Sequence, residues 1–213
     1  RVGEDISDEE FTINRGTEQL TVRIMSPPAE RLAPHPLLLL SFASGRHHTL
    51  TTKLYGTSGR MFLEKGHRVL SFDLPAHGDR IDRYGEGIDG MCARFLAGKD
   101  PFKLFVADGQ AVIDECIRRG WAEPGRIVVC GVSRAGYCAL RLAAEDKRIA
   151  AVAGLAPVTD WRSLSNFSAV KDRPDVAALA LDHYVQDLAG RSVYLAIGNA
   201  DRRVGTETFL HFA

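Results

Sequence analysis

The sequence lacks several features that define other classes of protein. It has no excess of either charge: Lys plus Arg and Asp plus Glu both count 27, giving a formal net charge of zero. A protein held to nucleic acid through its phosphates needs a basic excess or a basic stripe, so that class of partner is not expected. Nor is there a long apolar run. The longest strongly apolar stretch, Pro36 to Phe42, is far short of the roughly 20 residues a membrane-spanning helix requires. Cysteine is scarce, and Cys92, Cys116, Cys130 and Cys138 contain no C-x-x-C pair. That excludes a zinc knuckle or a disulfide framework and suits reduced, buried thiols in a cytoplasmic protein. No basic, then apolar, then small-residue pattern opens the chain. It begins with Arg1 rather than Met, so trimming at one or both ends is expected.

Apolar residues at 45% and charged residues at 25% are ordinary globular values that leave no room for disorder or fibrous repeats. The length of 213 residues suits one domain spanning 1–213. Along it, apolar runs of strand length alternate with segments of helical period, the signature of a parallel α/β sheet. Phe11–Arg15 and Gln19–Met25 alternate around Gly16-Thr17-Glu18 and read as a hairpin at a sheet edge. Strands are predicted at Leu37–Phe42, Arg68–Leu74, Arg126–Val132, Ile149–Leu155 and Ser192–Ile197. Helices are predicted over Leu54–Lys65, Pro101–Arg119 and about Arg134–Glu145, with the start of another at the C-terminus. The charged, glycine-rich loop from Pro75 to Asp100 should carry some helix of its own. The segment around 160–190 is helical in pattern and about the size of a small lid.

The most informative stretch is R-I-V-V-C-G-V-S-R-A-G-Y-C-A-L, Arg126 to Leu140. A buried strand runs into Ser133 and leaves it directly as a helix, which is the pattern of a nucleophile elbow. Such a turn forces the residues two before and two after the serine together, so only very small ones fit. They are Gly131 and Ala135, with Gly136 following. The helix start also sets partial positive charge beneath the serine, which favours an oxyanion there.

With that turn the chain resembles the α/β-hydrolase superfamily, most closely its dienelactone-hydrolase-like and prolyl-oligopeptidase-like branches. The resemblance is carried in order by the opening hairpin, L-L-L-L-S-F-A-S-G, D-L-P-A-H-G-D-R, G-V-S-R-A-G, A-P-V-T-D-W and I-G-N-A-D-R-R-V. It implies a mostly parallel central sheet with an antiparallel N-terminal hairpin, helices on both faces and a small helical lid. It also implies a triad in the order Ser, Asp, His. Ser133 is the expected nucleophile, and Asp201, in the loop after the last strand, is the expected acid, with Asp160 as its rival. The oxyanion hole would combine the backbone N–H of Arg134 with that of Phe42 or Ala43. The family's usual His-Gly pair is absent at Ser41–Gly45, and the Phe42 side chain is a candidate for the acyl pocket. The family places the histidine some 25 to 40 residues beyond the acid, because a crossover alone takes a dozen or more. The chain stops 12 residues after Asp201, so the base is expected beyond Ala213, and His211 is not favoured.

The implied reaction is hydrolysis of a small-molecule carboxylic ester through an acyl-enzyme, with no metal or organic cofactor. Amide or peptide hydrolysis and a non-catalytic binding module are the alternatives. A thiol nucleophile fails because position 133 is serine. Arg80, Arg83 and Arg94 in the long loop are read as solvated partners of Asp79, Asp82 and Asp89.

Overall fold

Strands whose side chains alternate in character settle at an edge, and strands apolar on both faces settle in the middle. The computed structural model describes residues 5–16 and 18–213. β1 (Ser7–Arg15) and β2 (Glu18–Ser26) form the expected antiparallel hairpin, in register from Ser7 opposite Ser26 to Arg15 opposite Glu18. Thr17, in its predicted turn, lies outside the described residues. The remaining strands are β3 (Leu38–Phe42), β4 (Arg68–Phe72), β5 (Ile127–Val132), β6 (Ile149–Leu155) and β7 (Ser192–Ala196). They assemble in the order β1-β2-β4-β3-β5-β6-β7, with β2 antiparallel to β4 and every later pairing parallel. β3 and β5 sit near the centre of the sheet, and Leu38, Leu40, Ile127 and Val129 are fully buried.

The helices are α1 (Arg46–Thr51), α2 (Thr57–Glu64), α3 (Gly87–Leu96), α4 (Pro101–Arg118), α5 (Arg134–Glu145), α6 (Pro174–Ala177), α7 (Val185–Leu188) and α8 (Thr206–Phe212). α4 starts where Asp100 accepts the N–H groups of Phe102 and Lys103 at 2.9 and 3.0 Å, satisfying donors the first turn leaves free. α3 is the helix expected inside the Pro75–Asp100 loop. α2 is shorter than predicted. It begins only at Thr57, because Gly56 sits against the carbonyls of Leu50 and Thr52 and turns the chain there. Tyr55 therefore lies on a turn and not on a helix.

The 160–190 segment is a string of short helical turns. Its apolar side chains, among them Trp161, Leu164, Phe167, Val176 and Leu181, belong to the main core cluster. Tyr137 on α5 and Phe102 on α4 stack edge-on or tilted against Trp161. At the far edge, β7 pairs only with β6 among the described residues, and Val193 and Tyr194 are exposed. No described helix is long and apolar enough to cross a membrane.

Candidate active site

Parallel strands deliver their loops to one end of a sheet, and three such loops carry non-glycine residues at positive φ. These are Ala76 (φ 63°) after β4, Ser133 (φ 57°) after β5 and Ala156 (φ 45°) after β6. Backbone strain of this kind persists only where packing enforces it, and it gathers at functional sites. Ser133 has ψ −123° and is the residue at which β5 becomes α5. Its N–H donates to the Leu155 carbonyl at 2.9 Å, and its carbonyl accepts from Gly136, Tyr137 and Val158 at 2.9, 3.2 and 3.1 Å. Its neighbours explain the small residues around it. A Cβ on Gly131 would overlap the Ala135 carbonyl, and one on Gly136 would press on Pro157 at 2.9 Å. Ala135, fully buried, fills its place with a single methyl.

Ser133 lies in a narrow cleft of about 60 Å³ with Ala43, Ser44, His48, Tyr55 and Arg134. Ala43 is thus beside the serine, and its N–H donates to the Thr49 hydroxyl at 3.1 Å. The Phe42 ring points elsewhere. It is 1% exposed and packs on Phe72 and Phe105 with ring centroids 4.8 and 5.0 Å apart. The expectation that it lines an acyl pocket is corrected accordingly, because its side of β3 faces the core. His48 and Tyr55 stack at 5.2 Å, and His48 Nδ1 shares a hydrogen bond with the Ser44 hydroxyl at 3.0 Å. Tyr55 was not legible as a site residue, since no spacing or motif marks it.

Through Ser44, His48 and Arg134 the cleft adjoins a larger cavity of about 580 Å³. One wall is rigid. Asp73 accepts the Arg46 N–H and Nη1 at 2.6 Å each and the Asp79 N–H at 2.9 Å, while Arg46 also pairs with Glu10 and Asp79. The wall's Gly78 (φ 54°) has no room for a Cβ beside Asp73. His77 is held at both nitrogens: Nδ1 lies 2.9 Å from the Pro75 carbonyl, and Nε2 accepts from Arg134 Nε at 2.7 Å. An imidazole donating at Nδ1 and accepting at Nε2 is neutral. Burial, with Arg134 beside it, pushes its pKa down to about 4.

The other expected residues are placed as follows. Asp201 Oδ1 accepts the N–H groups of Arg203 and Val204 at 2.8 and 3.1 Å and makes no hydrogen bond to a histidine among the described residues. Asp160 caps its own turn, accepting from Arg162 N at 2.9 Å and pairing with the Arg162 guanidinium. His211, not favoured as the base, is exposed on α8. Cys138 is buried, its thiol pushed up to about 12 by desolvation, and Cys130 is raised for the same reason. Of the loop arginines, Arg94 pairs with Asp82, while Arg80 reaches buried Asp108.

A profile described as the alpha/beta hydrolase family matches residues 41–210. The chain belongs to that family. Solved structures share the hydrolase fold over nearly its whole length. A prolyl endopeptidase superposes with TM-score 0.72 at 16% identity, covering 98% of this chain and 32% of its own. The acylaminoacyl peptidase of Pyrococcus horikoshii gives 0.70 at 15%, covering 98% and 34%. An esterase of Pyrococcus furiosus gives 0.68 at 16%, covering 97% and 76%. The chain thus spans about a third of the length of those peptidases. No curated protein matches it.

Proposed function

We propose that this hydrolase cleaves carboxylic esters through an acyl-enzyme on Ser133. The reading is carried by the strained backbone of Ser133 at the β5–α5 junction (φ 57°, ψ −123°), strain of the kind that gathers at functional sites and that a nucleophile elbow requires. In this scheme the Ser133 oxygen attacks the ester carbonyl, and a histidine takes its proton and returns it to the leaving alcohol. In this scheme Asp201 holds that histidine. The backbone N–H of Arg134, at the first position of α5, meets the developing oxyanion. Between Phe42 and Ala43, Ala43 is favoured as the second donor because it borders the cleft. Its N–H now donates to the buried Thr49 hydroxyl at 3.1 Å, and in this scheme that bond gives way when the oxyanion forms. Tyr55 also lines the cleft.

Amide or peptide cleavage is the second reading, favoured by the peptidases among the structures of like fold. An amine leaves only when the general acid protonates it, so esters make the less demanding first substrates.

The test is a fluorophosphonate probe on the full-length protein, read by intact mass, with hydrolysis of 4-nitrophenyl acetate alongside. One adduct, lost in Ser133→Ala together with a fall in rate of about 10³-fold or more, is the expected result. No adduct and no turnover in a folded protein would leave a binding module.

A further inference from the structure

We infer that the cavity beside Ser133 holds a carboxylate of the substrate, separate from the ester that breaks, and that Arg134 and Arg203 select it. The inference rests on the ester-hydrolase reading and adds the substrate class. Its basis is a difference among the charged groups of one wall. Arg46 is matched by Glu10, Asp73 and Asp79. Asp89 accepts from the Asn166 amide at 2.5 Å. Glu86, the wall's remaining carboxylate, is the N-cap residue of α3 and pairs with neither Arg134 nor Arg203.

Arg134 and Arg203 are different. Neither guanidinium has a carboxylate within 4 Å among the described residues, although both residues border the cavity. Arg134 is half-buried, and among the described residues its only side-chain hydrogen bond runs from Nε to His77. Because His77 is neutral, that bond orients the guanidinium without cancelling its charge, and neither terminal nitrogen has a hydrogen-bond partner among the described residues. Burial and the nearby Arg203 charge hold the Arg134 guanidinium below the usual arginine value. Two like charges drawn together at a cavity, one of them partly desolvated, form an arrangement that an anion relieves. The forked donors of arginine match a carboxylate edge-on. Arg134 borders both the cavity and the Ser133 cleft, so the bound carboxylate lies a few bonds from the scissile carbonyl. The Asp201 turn, whose carboxylate accepts the Arg203 N–H, sets the second arginine in place.

The experiment compares mono-(4-nitrophenyl) glutarate with 4-nitrophenyl pentanoate, esters of equal chain length ending in a carboxylate or a methyl group. The readout is the ratio of their kcat/KM values in the full-length protein and its variants. The wild type is expected to favour the anionic ester by about tenfold or more, the scale of one charge-assisted hydrogen-bonding contact. Added salt should shrink the ratio. Arg134→Gln should bring it toward one, mainly through KM, with Arg134→Lys retaining part. Arg203→Gln, on an exposed turn, should lower it part-way and guards against a folding defect at position 134. A wild-type ratio near one, or one unchanged in Arg134→Gln, overturns the inference while leaving ester hydrolysis standing. If neither ester turns over and no fluorophosphonate adduct forms, the hydrolase reading fails instead. Calorimetric titration with glutarate then still decides the site: binding lost in Arg134→Gln upholds it, and no binding overturns it.

Discussion

Ser133 carries its strain in the backbone, and substitution can separate that strain from the hydroxyl. Alanine removes the oxygen but keeps a Cβ at φ 57°, whereas glycine removes both at no steric penalty. Ser133→Gly should therefore be more stable than Ser133→Ala by about 1–2 kcal/mol in urea denaturation, with both inactive. Equal stabilities would mean that the turn is not strained. His77 makes a second argument, about pH. Its folded pKa lies near 4, against 6.5 for an ordinary histidine. Above 6.5 the imidazole is neutral in both states and its favourable burial is fully present. As the pH falls from 6.5 toward 4, the unfolded chain takes up a proton that the folded one refuses, so stability drops by up to about 3 kcal/mol. His77→Gln can keep bonds to Pro75 and Arg134 yet cannot titrate, so its denaturation midpoint should fall less over that window. Identical pH profiles would count against a neutral His77. The serine and its small neighbours were legible in the sequence because an elbow's steric demand falls within six residues, Gly131 to Gly136. His77, Tyr55 and the Arg134–Arg203 pair were not assigned their places, since each depends on where separate loops meet.

Among the elements, strands and caps were the easiest to read. The bounds of β6 and α5 match their predicted ranges because apolar runs and a helix opening straight from Ser133 leave little choice. α1 was missed: six residues, R-H-H-T-L-T, carry no cap signal, and α1 is tied down instead by a distant carboxylate, Asp73, at its first N–H. That carboxylate joins three pieces of the cavity wall, namely the end of β4, the start of α1 and the turn at Asp79. Removing it strands the Arg46 charge, whose side chain is only 7% exposed, with just the exposed Asp79 and the half-exposed Glu10. Asp73→Ala should cost about 3 kcal/mol and lower ester turnover through the loosened wall. Asp8→Ala breaks a more open pair with Arg23 and should cost at most about 1 kcal/mol. If the two variants unfold at the same denaturant concentration, Asp73 is not the anchor described.

At the scale of the molecule, the sheet has two unlike edges. The first is blunted by the hairpin, whose outer strand β1 bears Asp8, Glu9 and Glu10 and packs Phe11 on Trp121. The second, β7, has no partner beyond β6 among the described residues, and it exposes Val193 and Tyr194. Natural sheets rarely leave an apolar edge open, because its free N–H and C=O groups invite pairing. Hydrogen exchange on the full-length protein reads this directly. Amides of β3 and β5 in the sheet centre should open only with global unfolding and exchange slowest. In a parallel strand the N–H groups alternate sides, so an open β7 should show every second amide exchanging fast while those bonded to β6 stay slow. Uniform protection along β7 would mean that a further strand covers the edge, from a continuation of the chain or from a second copy. Protein concentration separates the two, since a continuation protects equally at any dilution and a second copy does not.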